Sequence, residues 1–116
     1  CNDWQTACIP IYLKAMYHGT FYKTRCMYTI HNIEYQGWAN AGFFDDVLGL
    51  PWEYRSTLDM SNSVNVMKGA IETADLVTTV SETYARYLDR SLRKIFRIEH
   101  APIRVRLRSS HKKKSE

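Results

Sequence analysis

The sequence contains few cysteines, and their number and spacing exclude two kinds of site. The 116 residues include three, Cys1, Cys8 and Cys26. An odd count without a C-x-x-C pair indicates neither a disulfide framework nor a structural zinc site. Cys8 and Cys26 stand among apolar residues, so we expect both to be small core residues. Unpaired thiols of this kind fit a reducing compartment such as the cytoplasm.

Long hydrophobic segments are also missing. No apolar run approaches the roughly 18 residues that a membrane span requires, so we expect a soluble protein with no membrane contact. The first residues, CNDWQTAC, show neither the basic region nor the apolar region of a signal peptide. The chain begins with Cys rather than Met, which we interpret as a sign of truncation.

Several catalytic motifs are absent as well. We find no G-x-S-x-G, no P-loop, no G-x-G-x-x-G and no histidine spacing typical of a metal site. The carboxylates Asp45, Asp46 and Glu53 show no pairing that would suggest the acid and base of a glycosidase. The motifs therefore predict no metal centre and no cofactor.

Charge is divided unevenly along the chain. Residues 90–116 contain ten of the sixteen Lys and Arg and two acidic residues, a net charge of +8. Residues 1–89 hold the other six basic and ten acidic residues, a net charge of −4. We therefore predict a boundary near residue 89, followed by a basic tail that is disordered or artefactual in origin.

Hydrophobic periodicity predicts alternating helices and strands. The first predicted helix starts at about Trp4, is capped by Asp3 or Asn2, is bent or delayed by Pro10 and stops near Gly19. A strand over 25–30 and a loop over 31–38 follow, and then irregular structure with at most one helical turn over 39–62. A helix over 63–73, a strand over 76–80 and a helix capped by Ser81 complete the predicted order. Such alternation indicates an α/β fold with a mostly parallel sheet and helices on both faces. Ligands bind at the carboxyl ends of such strands, which directs attention to the loops after residues 30 and 80.

Six segments occur in a characteristic order: CNDWQT at 1–6, IPIYLK at 9–14, TIHNIEYQG at 29–37, LGLP at 48–51, VMKGAIETAD at 66–75 and VTTVSETYARYL at 77–88. Together they resemble the N-terminal catalytic domain of bacterial glycogen synthases and plant starch synthases, over about residues 1–89. The segment HNIEYQG is the most distinctive of the six.

The resemblance implies a fold and a reaction. The fold would be a partial Rossmann-like parallel sheet from the N-terminal half of a GT-B glycosyltransferase. The reaction would transfer glucose, with retention, from ADP-glucose to the non-reducing end of an α-1,4-glucan, without metal or cofactor. The donor site would lie mostly in a domain absent from this chain, so we expect the isolated chain to be inactive. The compartment would be the bacterial cytoplasm, or a plastid if the source is a plant.

The sequence departs from the family pattern in three places. It lacks the glycine-rich K-x-G-G-L motif, and the histidine of the family's H-x-N-D-W motif would stand just before Cys1. The catalytic residues are therefore unknown from this sequence. Beyond about Leu88 the sequence no longer resembles the family, and a frameshift or a chimeric gene would explain the change.

The loop after the first predicted strand holds the candidate substrate-binding residues, His31, Asn32, Tyr35, Gln36 and Gly37. By pattern alone, His31 is more often a half-buried structural histidine, but the resemblance favours a place in the cleft. Tyrosine and glutamine suit sugars, since rings stack on sugar faces and amides bind hydroxyls. Gly37 allows a positive φ or a close backbone approach. The alternative is a simple turn with an exposed tyrosine.

Four further residues are candidates for a supporting role: Asn2, Asp3, Trp4 and Lys68. We expect Asp3 to cap the first helix and Trp4 to pack under the loop. Lys68 could meet a phosphate or a sugar, but a lone helix lysine is more often solvated.

Two other functions compete with a synthase fragment. The chain could be a free-standing glucan-binding module, or its tail could bind nucleic acid through the phosphates. The tail shows no helix-turn-helix, RRM or zinc pattern, which argues against nucleic-acid binding.

Overall fold

The structure is a computed structural model that describes residues 1–96 and 105–107. The strands in these residues are β1 (Met27–Ile30), β2 (Trp38–Ala39), β3 (Asp59–Met60), β4 (Ser63–Asn65), β5 (Leu76–Thr79) and β6 (Val105–Leu107). The α-helices are α1 (Cys8–Ala15), α2 (Arg55–Leu58), α3 (Val66–Thr73) and α4 (Glu82–Phe96). Short 3-10 helices cover Trp4–Thr6 and Trp52–Tyr54, and one π-helical turn covers Phe44–Leu48.

The larger sheet is parallel and has the strand order β1-β5-β6. Asn2 forms an additional parallel bridge with Thr29 on the outer side of β1. Within the sheet, the buried hydroxyls of Thr29 and Thr78 lie 2.7 Å apart, so neither is left without a partner. The predicted α/β fold with a parallel sheet is confirmed.

A second, antiparallel sheet has the order β2-β4-β3 and corrects the prediction of irregular structure over 39–62. Ser61 and Asn62 connect β3 to β4 with φ values of 50° and 59°. Positive φ at both central residues characterises the type I′ turn, which matches the twist of a hairpin. Ser-Asn is a weaker signal for this turn than Asn-Gly, so the hairpin was missed.

The helix boundaries agree with some of the sequence predictions and correct others. The side chain of Asp3 caps no helix, and α1 begins later, at Cys8. Pro10 lies in the first turn of α1, where a missing N–H costs no intrahelical bond, so the predicted delay is confirmed. Helix α3 begins at Val66 rather than Ser63, because the Asn65 side chain accepts a hydrogen bond from Lys68 N.

Ser81 caps α4 as predicted, since its Oγ accepts a hydrogen bond from Tyr84 N at 3.1 Å. The predicted boundary at residue 89 falls inside α4, and β6 pairs with β5 from within the basic segment. The remaining residues of that segment lie outside the described part of the chain, and the division into two regions stays a prediction.

The core lies between the parallel sheet and the helices packed against it. Gly69 of α3 approaches α1 and α2 so closely that an added Cβ would lie 2.7 Å from Ile11 Cδ1 and 2.9 Å from Leu58 Cγ. The absence of a side chain at Gly69 therefore allows α3 to pack closely against α1 and α2. The described cysteines are free and half-buried, and the sulfurs of Cys1 and Cys26 lie 3.7 Å apart. Among the described helices, none has the length and apolarity to cross a bilayer.

Candidate functional site

The loop that follows β1 is attached at its start to Asp3. The Asp3 carboxylate accepts hydrogen bonds from His31 N at 2.7 Å and from Asn32 N at 3.3 Å. Asp3 itself is bonded to the sheet, since its N–H donates to Thr29 O at 2.9 Å. The residue predicted as a helix cap therefore holds the loop, with its own backbone at a φ of 52°.

His31 and Asn32 are both exposed, at the carboxyl end of β1. The Nε2 of His31 lies 3.0 Å from Asn2 Oδ1, and Asn32 Oδ1 accepts a hydrogen bond from Glu34 N. A half-buried structural histidine, the interpretation that pattern alone favoured, is therefore wrong. Both side chains stand at the edge where ligands of parallel sheets bind.

Tyr84 of α4 supports the middle of the loop. Its hydroxyl accepts a hydrogen bond from Ile33 N at 2.7 Å. Burial raises the pKa of Tyr84 above that of an ordinary tyrosine, whose hydroxyl is already protonated at neutral pH. Because β1 and β5 are neighbours, the helix that follows β5 reaches the loop that follows β1. Ile33 and Tyr84 are 51 positions apart, and the sequence alone gave no local signal for this contact.

Gln36 and Gly37 join the loop to the start of α3. Gln36 Nε2 donates to Ile33 O at 2.9 Å, and Gln36 Oε1 accepts from Asn65 Nδ2 at 2.8 Å. The backbone carbonyls of Gln36 and Gly37 accept hydrogen bonds from Met67 N and Val66 N. The loop is thus held at its start, middle and end.

Gly37 has a φ of 70°, and the predicted positive φ is confirmed. A Cβ at this position would overlap Val66 Cγ2 and would lie 3.0 Å from Trp4 Cε3. The predicted packing of Trp4 against the loop is therefore also confirmed. Only glycine satisfies both the backbone conformation and the lack of space.

A cavity of about 530 Å³ opens between this loop, the N-terminal segment and β2. Its lining residues are Trp4, Gln5, Cys8, Glu34, Tyr35, Gln36, Gly37, Trp38, Ala39, Phe43 and Val66. The cavity therefore combines exposed aromatic rings with amide groups and one carboxylate. Aromatic faces pack on the C–H faces of sugars, and amides and carboxylates bind the hydroxyls.

The structure brings together some of the predicted site residues and separates others. Trp4, Tyr35, Gln36 and Gly37 line the cavity. His31, Asn32, Asn2 and Asp3 form a hydrogen-bonded cluster at the start of the same loop, outside the cavity lining.

Lys68 is neither solvated nor part of the cavity. It is 6% exposed, and its Nζ donates to the carbonyls of Ser56 and Thr57 at 2.8 and 2.9 Å. Its Nζ also lies 3.0 Å from Glu72 Oε1. The expectation of a solvated lysine is therefore wrong, because the side chain is used to tie α3 to α2.

A second cavity, of about 340 Å³, lies at the opposite end of the strands, beside Arg25, Cys26 and Asp75. None of the predicted site residues lines it. Tyr22 borders this cavity and is 64% exposed, nearly the same as the 65% of Tyr35. These two tyrosines form a natural pair for comparing the two cavities.

Comparison with known proteins connects this geometry to a family. The family described as "Starch synthase catalytic domain" matches residues 1–96. A glycogen synthase from Desulfitobacterium hafniense is 46% identical over 90 residues, which is 74% of this chain and 19% of that protein. Glycogen synthase 2 from Geobacter sulfurreducens is 49% identical over 90 residues, 74% of this chain and 18% of that protein.

Among solved structures, the catalytic domain of starch synthase IV from Arabidopsis thaliana, bound to ADP and acarbose, is similar with a TM-score of 0.71. It is 29% identical, and the match covers 92% of this chain and 24% of that chain. This similarity confirms the predicted partial Rossmann-like sheet of a GT-B glycosyltransferase. The chain spans about a fifth of the length of the curated relatives. With a family match over residues 1–96, the chain belongs to the starch synthase catalytic domain family.

Proposed function

We propose that this chain supplies part of the acceptor-binding wall of an enzyme that transfers glucose from ADP-glucose to the non-reducing end of an α-1,4-glucan. The single observation that carries this proposal is the cavity beside the loop 31–37. It places Tyr35, Trp38 and Gln36 around one space of about 530 Å³. That volume lies within the range typical of small-molecule sites.

The contacts follow from the chemistry of the lining. Tyr35 and Trp38 are exposed rings on which glucose units stack, and Gln36 and Glu34 bind the hydroxyls. His31 and Asn32 contact the sugar nearest the carboxyl end of β1. Asn2, Asp3 and Trp4 keep this loop in place and make no chemical contribution of their own.

The donor is bound mainly by parts of the enzyme that this chain does not include. The structurally similar starch synthase IV was solved with ADP, which is the product that ADP-glucose leaves after transfer. Because the chain matches about a fifth of its curated relatives, we propose that it does not transfer glucose by itself. Stabilisation of the charge on the departing ADP belongs to the remainder of the enzyme.

Binding of maltoheptaose tests the proposal on the full 116-residue chain. Trp4 and Trp38 line the cavity, so their fluorescence should change as the glucan binds. We expect Tyr35→Ala to weaken the affinity about tenfold, the loss typical of one stacking ring. Tyr22→Ala is the matched control, since this tyrosine is equally exposed but borders the other cavity.

Equal loss of affinity in the two variants, or no saturable binding by the wild-type chain, would refute the proposal. A chain that forms product from ADP-glucose and maltoheptaose would refute the statement that it does not transfer glucose by itself.

For the compartment, we propose the cytoplasm of a bacterium, or a plastid if the source is a plant. The similarity to bacterial glycogen synthases and to an Arabidopsis starch synthase supports these two alternatives. Detection of the protein in an extracellular or membrane fraction of its source cells would contradict both.

A further inference from the structure

Asn65 is a buried polar residue directly behind the cavity. It is 0% exposed and is absent from the cavity lining, so it does not meet a ligand. Its Oδ1 accepts from Lys68 N at 2.9 Å, and its Nδ2 donates to Gln36 Oε1 at 2.8 Å. The same Nδ2 lies 3.7 Å from Met60 Sδ. Both the oxygen and the nitrogen of the Asn65 amide therefore have partners within the protein.

These contacts fix the orientation of the Asn65 side-chain amide and, through it, that of the Gln36 side-chain amide. Lys68 N is a backbone donor, so the Asn65 atom facing it must be the oxygen. The Asn65 atom facing Gln36 must then be the nitrogen, and the Gln36 atom that receives its hydrogen must be the oxygen. Gln36 Nε2 consequently faces Ile33 O, a backbone acceptor that requires a donor. Each donor therefore faces an acceptor in every hydrogen bond from Lys68 N to Ile33 O.

The orientation leaves Gln36 with a defined set of free groups. One Nε2 hydrogen and one Oε1 lone pair remain, because each atom makes one hydrogen bond among the described residues. Gln36 lines the cavity, where a neighbouring pair of sugar hydroxyls can accept from the first and donate to the second.

We propose that Asn65 is a positioning residue that fixes the Gln36 amide in the orientation that recognises adjacent hydroxyls of the glucan. The proposal rests on the proposed function, in which Gln36 contacts the acceptor. Asn65 acts through Gln36 and does not touch the sugar.

Asn65→Asp is the informative variant. The carboxylate keeps the acceptor for Lys68 N, so α3 retains its N-cap, but it loses the donor that faces Gln36 Oε1. Two acceptors would then face each other, and a rotated Gln36 amide would place its oxygen against Ile33 O. We expect the affinity for maltoheptaose to fall about tenfold in the full chain.

A spectroscopic measurement separates orientation from a general structural effect. In the wild-type chain, the Gln36 side-chain amide should give an NMR signal with slowed hydrogen exchange, because one hydrogen is bonded to Ile33 O. In Asn65→Asp this protection should be lost, while the backbone signals of α3 stay in place. If the Gln36 side-chain amide of the wild-type chain exchanged its hydrogens as fast as free glutamine does, that result alone would overturn the proposal.

Gln36→Ala distinguishes the two possible failures. If Gln36→Ala weakens binding about tenfold but Asn65→Asp binds like the wild type, Asn65 has no positioning role and the proposed function stands. If neither Tyr35→Ala nor Gln36→Ala changes the affinity, the proposed function fails, and the role of Asn65 fails with it.

Discussion

At the scale of single residues, Gly37 is where the loop has least freedom to change. We expect Gly37→Ala to destabilise the chain by about 2–4 kcal/mol, because left-handed backbone strain is added to overlap with the Val66 side chain. Urea unfolding followed by circular dichroism measures this loss.

Gly49→Ala is a matched control for that substitution. Gly49 also has a positive φ, of 59°, but an added Cβ would meet nothing within 4 Å. It should therefore cost only the backbone strain, about 1 kcal/mol. Equal losses for the two variants would show that contact with Val66 and Trp4 does not decide the loop conformation.

Tyr28 is a second residue with a clear prediction. It is 0% exposed, and its hydroxyl lacks a hydrogen-bond partner among the described residues. Burial, assisted by the charges of Asp3 and Cys8, raises the pKa of Tyr28 above that of an ordinary tyrosine. Above about pH 10 the unfolded chain loses this proton before the folded chain does, so stability should fall as the pH rises.

Tyr28→Phe should leave stability at pH 7 unchanged or raise it by about 1 kcal/mol, since no bond is lost. It should also reduce the loss of stability above about pH 10, compared with the wild type. Urea titrations at neutral and alkaline pH measure both effects. Tyr84→Phe is the contrasting variant, since it removes the acceptor for Ile33 N and should destabilise by about 1 kcal/mol.

At the scale of elements, α3 connects the site to the rest of the fold. Its first residues bond the carbonyls of Gln36 and Gly37, and Gly69 allows it to approach α1 and α2. Lys68 then fixes α2 by donating to two of its carbonyls. The position of the loop therefore depends on how α3 is packed.

We expect Lys68→Met to destabilise the chain by about 2–3 kcal/mol. The substitution leaves the carbonyls of Ser56 and Thr57 without this donor and Glu72 without its ion pair. Lys94→Met, at an exposed position of α4, should change stability by less than about 0.5 kcal/mol. A Lys68 variant as stable as the Lys94 variant would show that the buried lysine contributes nothing to holding α2.

The helices and strands that were predicted correctly are those with a clear local pattern in the sequence. The strands observed over 27–30 and 76–79 were predicted, over 25–30 and 76–80, because both are short apolar runs. The helix capped by Ser81 carried a local signal too. Strands β2, β3 and β4 have only two or three residues each, too few for a period of two to be visible.

At the scale of the whole molecule, the 116-residue chain leaves many large apolar side chains exposed. Trp52 is 71% exposed and Val47 is 62% exposed, and the outer side of β1 is bridged only at Asn2 in the described residues. We therefore expect the isolated chain to unfold over a broad temperature range and to aggregate on heating. Two successive scans by circular dichroism test this, and a sharp transition that repeats in the second scan would contradict it.

The candidate site was only partly predictable. Tyr35, Gln36 and Gly37, which line the cavity, were named from the sequence because their residue types and order are distinctive. Asn65 and Tyr84 were missed because each acts on a loop at least 29 residues away in the sequence. A single sequence contains no local signal for such contacts. Asp3 was assigned the wrong partner for the same reason. From the sequence alone, an aspartate that caps the next helix cannot be distinguished from one that accepts hydrogen bonds from a distant loop.

The sequence by itself determined the α/β alternation, the loop after β1, the cap at Ser81 and the family to which the chain belongs. These depend on local periodicity, on residue type and on the order of short segments. Only the tertiary structure decided how Asp3, Tyr84 and Asn65 converge on that loop, and that Lys68 is buried. The physical reason is that the pairing of β1 with β5 and the packing of α3 bring distant polar groups together, and buried polar groups that meet there pair because an unpaired one costs free energy.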